Sequence, residues 1–459
     1  MADAALFAGP ALRRLRKREG LTQSAMAGRL AISPSYLNLL ERNQRPLSAR
    51  VVVQVAEQFD FDPRNLREDE TIGGIDGLAR RMADERFADL GIDRDELAEF
   101  LSAAPHAAAA FARLYDNAAP ADRRDDPARA ARREIERWRN HFADLDTAAE
   151  TLADELRLSR SDTYAALAER LRERHQLAIR ILPREVLPEA VRRLDLHARQ
   201  LQLNEMLGPA SRTFQVAMQI AALEFRDDIA SLGAGAQFGE EGARRLFERH
   251  LTAYAAAALV MPYGRFLRAC DATGYDLPVL MRRFGVGFEA LAHRLTTLQR
   301  VGQRGLPFFM GRIDRAGQFS KRYSGASGAT FLEADASCPL WDVHRTFESA
   351  GEFVVQPIRV DGSGAAPSHW LTMARTVDGR AAADASARFA VVLGIEARLA
   401  RDLAAARGVS LRESDATVTG PGCAACRVQG CIQRSLPPRG AALQFSAIEQ
   451  GITPFRFSG

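Results

Sequence analysis

The stretch that decides the N-terminal fold is "LTQSAMAGRLAISPSYLNLLERNQRPL", residues 21–47. Its apolar residues recur every three or four positions, as on one face of a helix, and turn residues interrupt the pattern. Thr22 and Ser33 are of the type that caps helix N-termini, and Pro34 suits the first helical position because that position needs no N–H donor. The pattern therefore predicts two short helices joined by a tight turn, in a domain over 1–70 with helices at 9–19, 22–30, 33–42, 48–59 and 63–68.

The charge of the chain is concentrated at the same end. Residues 1–58 contain nine Arg or Lys and four Asp or Glu, a net charge of +5, whereas the whole chain of 459 residues carries +4. The remainder is therefore close to neutral. The N-terminal segment is therefore the place to expect a polyanionic partner such as double-stranded DNA.

Residues 9–67 resemble the lambda-repressor-like helix-turn-helix family, through "LTQSAMAGRL" and "SPSYLNLLERNQRPL". The resemblance implies that Gln23 anchors a phosphate and that the second helix enters the major groove. It implies groove-facing side chains at Ser33, Ser35, Tyr36 and Asn38, and backbone-facing arginines at Arg42 and Arg45. Ala31 stands where the family usually has Gly, and a positive φ there would cost about 1 kcal/mol. A helical bundle that contacts only protein is the alternative.

The rest of the chain is rich enough in apolar residues, at 47% hydrophobic, to form several further domains. No uncharged apolar run approaches the roughly 18 residues of a membrane span, so we expect a cytoplasmic protein with no membrane contact. Helical spacing over 70–175 predicts a helical connector over 71–150 that dimerises the chain. Strand-like alternation follows at 177–206, then helix at 209–233. The predicted fold is mainly α, with an α+β C-terminal half.

Residues 151–300 resemble an ImmA/IrrE-type zinc metallopeptidase domain. The family's His-Glu-x-x-His motif falls at residues 218–222, which here read Met-Gln-Ile-Ala-Ala. Zinc chemistry at this position needs two imidazoles one helical turn apart and a carboxylate base. We therefore predict a degenerate domain without enzymatic activity. Residues 274–300 also have the pattern of a helix-turn-helix, as expected within this fold; a second DNA reader using Arg282, Arg283 and Arg294 is the alternative.

Three of the five cysteines are clustered in "GPGCAACRVQGCIQRSLPP", residues 420–438. An odd, clustered set in a reducing compartment favours a metal site or reactive thiols over disulfides. The spacing of Cys423, Cys426 and Cys431 is comparable to that of zinc and iron–sulfur sites, which take four ligands. Cys338, at the start of a strand-like run, is the candidate for the fourth, and His344 is an alternative more suited to zinc. Packed or redox-active thiols without metal are the third interpretation.

The order of segments from "AHRLTTLQR" through "LPFFMGRIDRAGQFSKRYS", "CPLWDVHRTF" and the cysteine tail resembles the short-chain fatty acyl-CoA regulator family. The resemblance covers nearly the whole chain and assigns residues 301–459 to its C-terminal domain. It implies a transcriptional regulator of propionate or acetate metabolism that responds to an acyl-CoA such as propionyl-CoA. It also implies a [4Fe–4S] cluster in the cysteine tail, with zinc as the alternative.

An acyl-CoA site needs basic side chains for the phosphates and a small apolar pocket for the acyl group. Residues 306–323 offer two aromatic wall residues and four polar or basic side chains: Phe308, Phe309, Arg312, Lys321, Arg322 and Tyr323. An ordinary solvated sheet face with core aromatics is the competing interpretation.

We expect a homodimer or a higher homo-oligomer, in which the ligand selects the spacing of two DNA readers. The rival functions are a peptidase that cleaves a repressor and a toxin–antitoxin style binding module without a small ligand.

Overall fold

The computed structural model describes residues 9–41, 45, 47–59, 74–84, 87, 90–117, 126–158, 162–362, 366–382, 385–453 and 455–458. The chain divides into two units: Met1–Met82 with Asp89–Pro120, and Ala83–Ala88 with Ala121–Gly459. The predicted fold class, mainly α with an α+β C-terminal half, is confirmed. Within the described part of the chain, every helix is too short or too polar to cross a bilayer.

The first unit begins with four helices that share one core: α1 (Gly9–Arg18), α2 (Gln23–Arg29), α3 (Pro34–Glu41) and α4 (Ala49–Phe59). The predicted caps are formed. The Thr22 hydroxyl accepts the N–H of Ala25 at 3.2 Å, and the Ser33 hydroxyl accepts the N–H of Tyr36 at 3.1 Å. These bonds satisfy N–H groups that have no partner within the helix. The helix predicted at 63–68 lies outside the described residues.

The predicted connector is divided between the two units. Three helices complete the first unit around a small core of their own: α5 (Gly74–Met82), α6 (Arg94–Ala103) and α7 (Pro105–Asn117). Helices α8 (Pro127–Arg137) and α9 (Ala143–Glu155) belong to the second unit. The reason is burial, because Ile135 and Leu145 contribute to the large core of that unit.

The second unit continues with a helical layer around a small sheet. Its elements are α10 (Thr163–His175), β1 (Ala178–Leu182), β2 (Arg192–Asp195), β3 (Gln200–Asn204), α11 (Pro209–Glu224), α12 (Arg226–Gly235) and α13 (Glu241–Val260). The strand order is β1-β3-β2, with β1 parallel and β2 antiparallel to β3. Helix α13 is central and packs against α8, α9, α11 and α12. Its buried alanines at 255–258 allow these helices to approach closely.

Three short helices then lead into a six-stranded sheet. The helices are α14 (Tyr263–Thr273), α15 (Leu277–Phe284) and α16 (Phe288–Thr296). The strands are β4 (Phe309–Ile313), β5 (Phe319–Tyr323), β6 (Val354–Val360), β7 (Ser368–Ala382), β8 (Ala385–Glu396) and β9 (Thr417–Thr419), in the order β5-β4-β8-β7-β6-β9. Strands β10 (Leu443–Gln444) and β11 (Arg456–Phe457) pair separately in the tail.

The run after Cys338 is not a strand, so that prediction is wrong. Residues Asp342–Phe347 form a 3-10 helix, in which the Thr346 hydroxyl donates to the Val343 carbonyl at 2.7 Å. The buried aromatic ring of Trp341 anchors its start against the sheet, with Nε1 donating to the Thr372 hydroxyl at 3.2 Å. These local bonds take the place of the ladder that an extended run would need.

Helices α15 and α16 have the predicted helix-turn-helix pattern, but α16 is not free to enter a DNA groove. It packs against β4, β7 and β8, and the Phe288 and Phe353 rings lie 5.0 Å apart. Arg294 is fully buried, whereas Arg282 and Arg283 are exposed. The structure therefore does not support α16 as a second reader, because Arg294 is buried and the helix packs against the sheet.

A fully buried ion pair joins α9 to α16. Arg294 Nη2 lies 2.6 Å from Asp146 Oδ1, and the Tyr254 hydroxyl of α13 donates to Asp146 Oδ2 at 2.6 Å. The other guanidinium nitrogens donate to the Met261 carbonyl and the Thr297 hydroxyl, each at 3.0 Å. Burial opposes ionisation of Asp146, but the Arg294 charge and the hydrogen bonds hold its pKa at about 2. Each guanidinium nitrogen and each carboxylate oxygen of the pair thus has a polar partner.

Removal of one partner should be strongly destabilising because the other charge would stay buried and unpaired. We expect Asp146→Ala to lower the free energy of unfolding by about 3–5 kcal/mol, measured by urea denaturation at pH 7. The matched control is Asp144→Ala, an exposed residue of the same helix, for which we expect about 1 kcal/mol or less. Equal losses in the two variants would contradict the role assigned to the pair.

Candidate functional site

The turn between α2 and α3 has the strained backbone that the sequence predicted. Ala31 has φ +50°, in the left-handed region where a Cβ atom costs about 1 kcal/mol. The N–H of Ile32 donates to the Ala27 carbonyl at 3.0 Å and closes the turn. The helix-turn-helix forms with Ala in the usual position of Gly.

Helix α3 separates a buried face from an outer face. Leu37, Leu40 and Glu41 are buried, Ser35 is exposed and Asn38 is half-buried. Since residues three apart lie on the same face of a helix, Ser35 and Asn38 share the outer face. Of the other predicted DNA contacts, Ser33 and Arg45 are exposed, Tyr36 packs partly on the core, and Arg42 lies outside the described residues.

Gln23 links the two helices rather than standing free. Its Nε2 donates to Glu41 at 2.8 Å and to Asn38 at 3.4 Å, so both amide hydrogens have partners and a phosphate contact would replace one of them. Arg16 donates to the same carboxylate at 2.6 Å. Burial opposes ionisation of Glu41, but the hydrogen bonds from Arg16 and Gln23 lower its pKa. Sequence reasoning missed this network, which positions Asn38.

The sheet divides the six residues predicted to bind a ligand. Phe309 is fully buried among Phe331, Trp341 and Trp370, on one side. Arg322 is also held by protein groups, since it donates to the Leu332 and Ala334 carbonyls at 2.6 Å.

On the other side, Arg312 lies opposite Lys321 in the register, and Tyr323 shares their face. Phe308, which precedes β4, is fully buried in the main core of the second unit. Lys321 Nζ and Arg312 Nη1 contact Glu289 Oε1 of α16 at 2.5 and 3.2 Å. Only Arg312, Lys321 and Tyr323 are therefore brought together.

A chain of polar side chains begins at Tyr323. Its hydroxyl lies 3.3 Å from His250 Nδ1, and His250 Nε2 lies 2.8 Å from the Asn140 Oδ1. Asn140 Nδ2 lies 3.2 Å from His293 Nε2 and donates to the Thr296 hydroxyl at 2.9 Å. No spacing signal could have revealed this cluster, because its members come from α13, α16, β5 and the turn between α8 and α9.

Both histidines are neutral at pH 7. Burial lowers the pKa of His293 to about 3 and that of His250 well below its usual range, and the nearby charge of Lys321 lowers both further. Asn140 accepts from one ring and donates to the other, so His250 carries its proton on Nε2 and His293 on Nδ1. Among the described residues, Nδ1 of His293 has no hydrogen-bond partner. The His293 ring lies beside half-buried Tyr323, with ring centroids 4.8 Å apart, and the two side chains form a candidate polar site.

The four predicted cysteine ligands lie in one region. Cys338 and Cys426 are buried, while Cys423 and Cys431 are half-buried. Burial raises the pKa of the Cys338 thiol, and the nearby Cys426 and Cys423 thiols raise it further. Burial likewise raises the pKa of Cys426, with a contribution from Cys431. His344, the alternative ligand, is instead 3.1 Å from the Ser337 hydroxyl.

Two glycines allow close packing around the cysteine tail, one within the tail and one against the segment before Cys338. Gly420 leaves no room for a Cβ atom beside the Cys426 sulfur, and Gly422, at φ +90°, lies against the Ala336 carbonyl. Across the described residues, no three His, Cys, Asp or Glu side chains are already arranged around a metal position. The donor set nevertheless suits zinc or an iron–sulfur cluster, and binding would have to draw the thiols together.

The position of the peptidase motif cannot perform zinc chemistry. Met218, Gln219 and Ala222 lie on α11, and Gln219 is buried at 5% exposure. A thioether, an amide and a methyl group supply neither the imidazole ligands nor the carboxylate base.

The chain joins a helix-turn-helix domain to a metallopeptidase-like domain that lacks the zinc motif, and then to a cysteine-bearing α+β domain. This arrangement defines a class of helix-turn-helix proteins with a degenerate IrrE-like domain. Sequence profiles match accordingly: a helix-turn-helix domain at 8–69, an IrrE N-terminal-like domain at 172–296, and the C-terminal domain of the short-chain fatty acyl coenzyme A regulators at 297–455. The chain belongs to the short-chain fatty acyl-CoA regulator family.

Relatives match along nearly their whole length. The chain is 34% identical to the HTH-type transcriptional regulator RamB of Mycobacterium tuberculosis, over 98% of both chains. It is 34% identical to the regulator PrpR of the same species, over 97% of both, and 34% identical to the propionyl-CoA carboxylase regulator of Cereibacter sphaeroides, over 98% of both. A solved Mycobacterium tuberculosis transcriptional regulator aligns with a TM-score of 0.66 at 32% identity, covering 72% of this chain and 99% of that one. These homologues are named as regulators rather than enzymes.

The neutral histidine pair predicts a dependence of stability on pH. Because the folded pKa of His293 is about 3 and the ordinary value is about 6.5, the unfolded chain takes up a proton below pH 6.5 that the folded chain does not. Stability should therefore fall as pH decreases from 6.5, by up to about 1.4 kcal/mol per pH unit for this histidine. Urea unfolding at pH 7 and pH 5 measures the change in the free energy of unfolding between the two pH values. This change should be smaller for His293→Asn than for the parent chain. The control His197→Asn, at an exposed position, should show the same change as the parent chain. If His293→Asn also shows the parent's change, His293 is not the histidine that causes the pH dependence.

Proposed function

We propose that this chain is a sequence-specific DNA-binding regulator of short-chain acyl-CoA metabolism. In this proposal its affinity for an operator responds to an acyl-CoA, and its cysteine tail holds a metal cofactor. One observation carries the proposal: the same chain contains a DNA reader and a C-terminal domain of the regulator family. In the reader, Ser35 and Asn38 share the outer face of α3. The names of the relatives support the same pathway class, since they include a propionyl-CoA carboxylase regulator.

The reader has the chemistry for both parts of DNA recognition. An Asn side chain pairs with adenine through its oxygen and nitrogen, whereas Arg neutralises phosphate without reading sequence. Asn38 accepts a hydrogen bond from Gln23, which Glu41 in turn holds, and this limits the rotamers that Asn38 can adopt before DNA arrives. Arg45 is exposed beyond the end of α3 and is free to meet the backbone.

The candidate polar site of His293 and Tyr323, with Lys321 and Arg312 next to it, suits an effector that has a carbonyl group and an anionic part. The Nδ1–H of His293 can donate to a thioester carbonyl, and the Tyr323 ring lies beside the His293 ring, with ring centroids 4.8 Å apart. Lys321 and Arg312 follow Tyr323 on the same face and both contact Glu289. A phosphate of the effector would compete with Glu289 for these cations, and that exchange would couple ligand binding to α16.

The cofactor that best suits the tail is a [4Fe–4S] cluster, with zinc as the alternative. Cys338, Cys423, Cys426 and Cys431 would hold it. Thiolate–metal bonds supply folding energy, which a segment with few regular elements lacks. Among its described residues, the tail after β9 contains one 3-10 helix and two two-residue strands, so a bound metal would stabilise it.

Control of DNA binding would act through linkage in a homodimer. Two readers must lie about 34 Å apart to occupy adjacent half-sites of a duplex. A ligand that prefers the dimer with this spacing raises operator affinity, and one that prefers another arrangement lowers it. A ligand with equal affinity for both changes nothing.

The two reader roles are separable by mutation. Asn38→Ala should reduce the preference for operator over unrelated duplex by about tenfold or more, because a base contact is lost. Arg45→Ala should weaken both duplexes alike and reduce the salt slope by about one, because a phosphate contact is lost. Fluorescence anisotropy at several salt concentrations measures both quantities, and identical effects of the two changes would overturn the assignment.

The effector is tested by titration with propionyl-CoA and acetyl-CoA, with free CoA as the ligand control. We expect a thermal shift with the esters and about a tenfold weaker affinity in Tyr323→Phe, since the hydrogen bond that joins Tyr323 to His250 at the candidate site is lost. Tyr164→Phe, on α10, is the matched control. If no ester changes thermal stability or operator affinity, the ligand-free binding module would replace the sensor.

A further inference from the structure

Arg434 lies inside the cysteine tail, with only 5% of its surface exposed. Its Nη2 donates to the Val428 carbonyl at 2.7 Å and lies 3.8 Å from the Cys426 sulfur. Its Nη1 donates to the Cys423 and Leu436 carbonyls, both at 3.3 Å. The Phe457 ring covers the guanidinium with its centroid 4.8 Å from Cζ. One side chain thus connects the backbone around two predicted ligands.

The charge of Arg434 has no carboxylate counterpart in the described part of the chain. The other deeply buried arginine of this unit, Arg294, is balanced by Asp146. A guanidinium stays protonated in proteins, and burying an unpaired cation costs several kcal/mol. Carbonyl dipoles offset part of that cost, but they supply no net negative charge. Among the described residues, the one anion-forming side chain with which Arg434 makes a hydrogen bond is that of Cys426, through its sulfur.

Metal binding would supply the missing anion. Four cysteine thiolates around a doubly charged metal centre, whether zinc or a cubane core, keep a net charge of about −2. A buried cation in contact with one sulfur and with the backbone of a second ligand is placed to balance this charge. Groups that hydrogen-bond to metal ligands in this way orient them and tune the site.

We propose that Arg434 is the positioning residue and counter-charge of the thiolate metal site. This proposal rests on the metal cofactor of the proposed function. The planar guanidinium of Arg434 donates to the Cys423 carbonyl and contacts the Cys426 sulfur. When the metal binds, the negative charge of the thiolate site would balance the positive charge of Arg434. Lys could keep the charge but not the fork that reaches four acceptors at once.

The test compares the full-length parent chain with Arg434→Gln and Arg434→Lys, each purified without oxygen and reconstituted with iron and sulfide or with zinc. Metal retention against a chelator should fall by about tenfold to a hundredfold in Arg434→Gln and by less in Arg434→Lys. The matched control is Arg439→Gln, an exposed arginine of the same tail that pairs with Asp335 at 2.8 Å, and it should behave as the parent. If the metal is a cluster, its midpoint potential should be lower in Arg434→Gln, because a nearby positive charge favours the reduced form.

A second measurement separates this role from simple packing. Without metal, Arg434→Gln should resist urea as well as the parent or better, because it removes an unpaired buried cation. Lower stability of the metal-free variant would mean that Arg434 only packs the tail and would overturn the proposal, as would equal retention in the parent and Arg434→Gln. A parent chain that binds neither metal would instead refute the cofactor in the proposed function, and this inference with it.

Discussion

The buried pair of Asp146 and Arg294 is the interaction on which the second unit depends. It joins α9 to α16, and the Tyr254 hydroxyl adds α13. Helix α16 also carries Glu289, which contacts the sheet cations, and His293, which completes the polar chain to Tyr323. Since all three side chains leave one rigid helix, the ion pair that fixes this helix also fixes the candidate effector site.

Buried charge is handled in three ways in this chain. In the reader, Glu41 is paired with Arg16 and also receives the Gln23 amide, so one carboxylate locks the geometry of α2 and α3. In the second unit, Asp146 and Arg294 neutralise each other. In the tail, Arg434 has carbonyl partners and one sulfur, and its anion is expected to come with the metal. The first two are complete as folded, whereas the third would be completed by the proposed metal.

Effector binding and DNA binding can be coupled in this chain without a defined path of contacts between the two sites. The reader lies in the first unit, and the polar site and cysteines lie in the second. A ligand that displaces Glu289 from Lys321 and Arg312 would change the interactions of α16. Coupling to DNA then needs only that the ligand-bound form differs in its preference for one arrangement of readers.

The sequence by itself determined the elements whose signals are local. Caps at Thr22 and Ser33, the strained turn at Ala31 and the loss of the peptidase motif at Met218 and Gln219 all depend on near neighbours, and the structure shows each of them. Tertiary structure alone decided which side of the sheet each of Phe309, Arg322 and Tyr323 faces and brought Asn140, His250 and His293 together. The physical reason is that strand register and helix packing set contacts between residues more than a hundred positions apart, and no spacing in the chain encodes them.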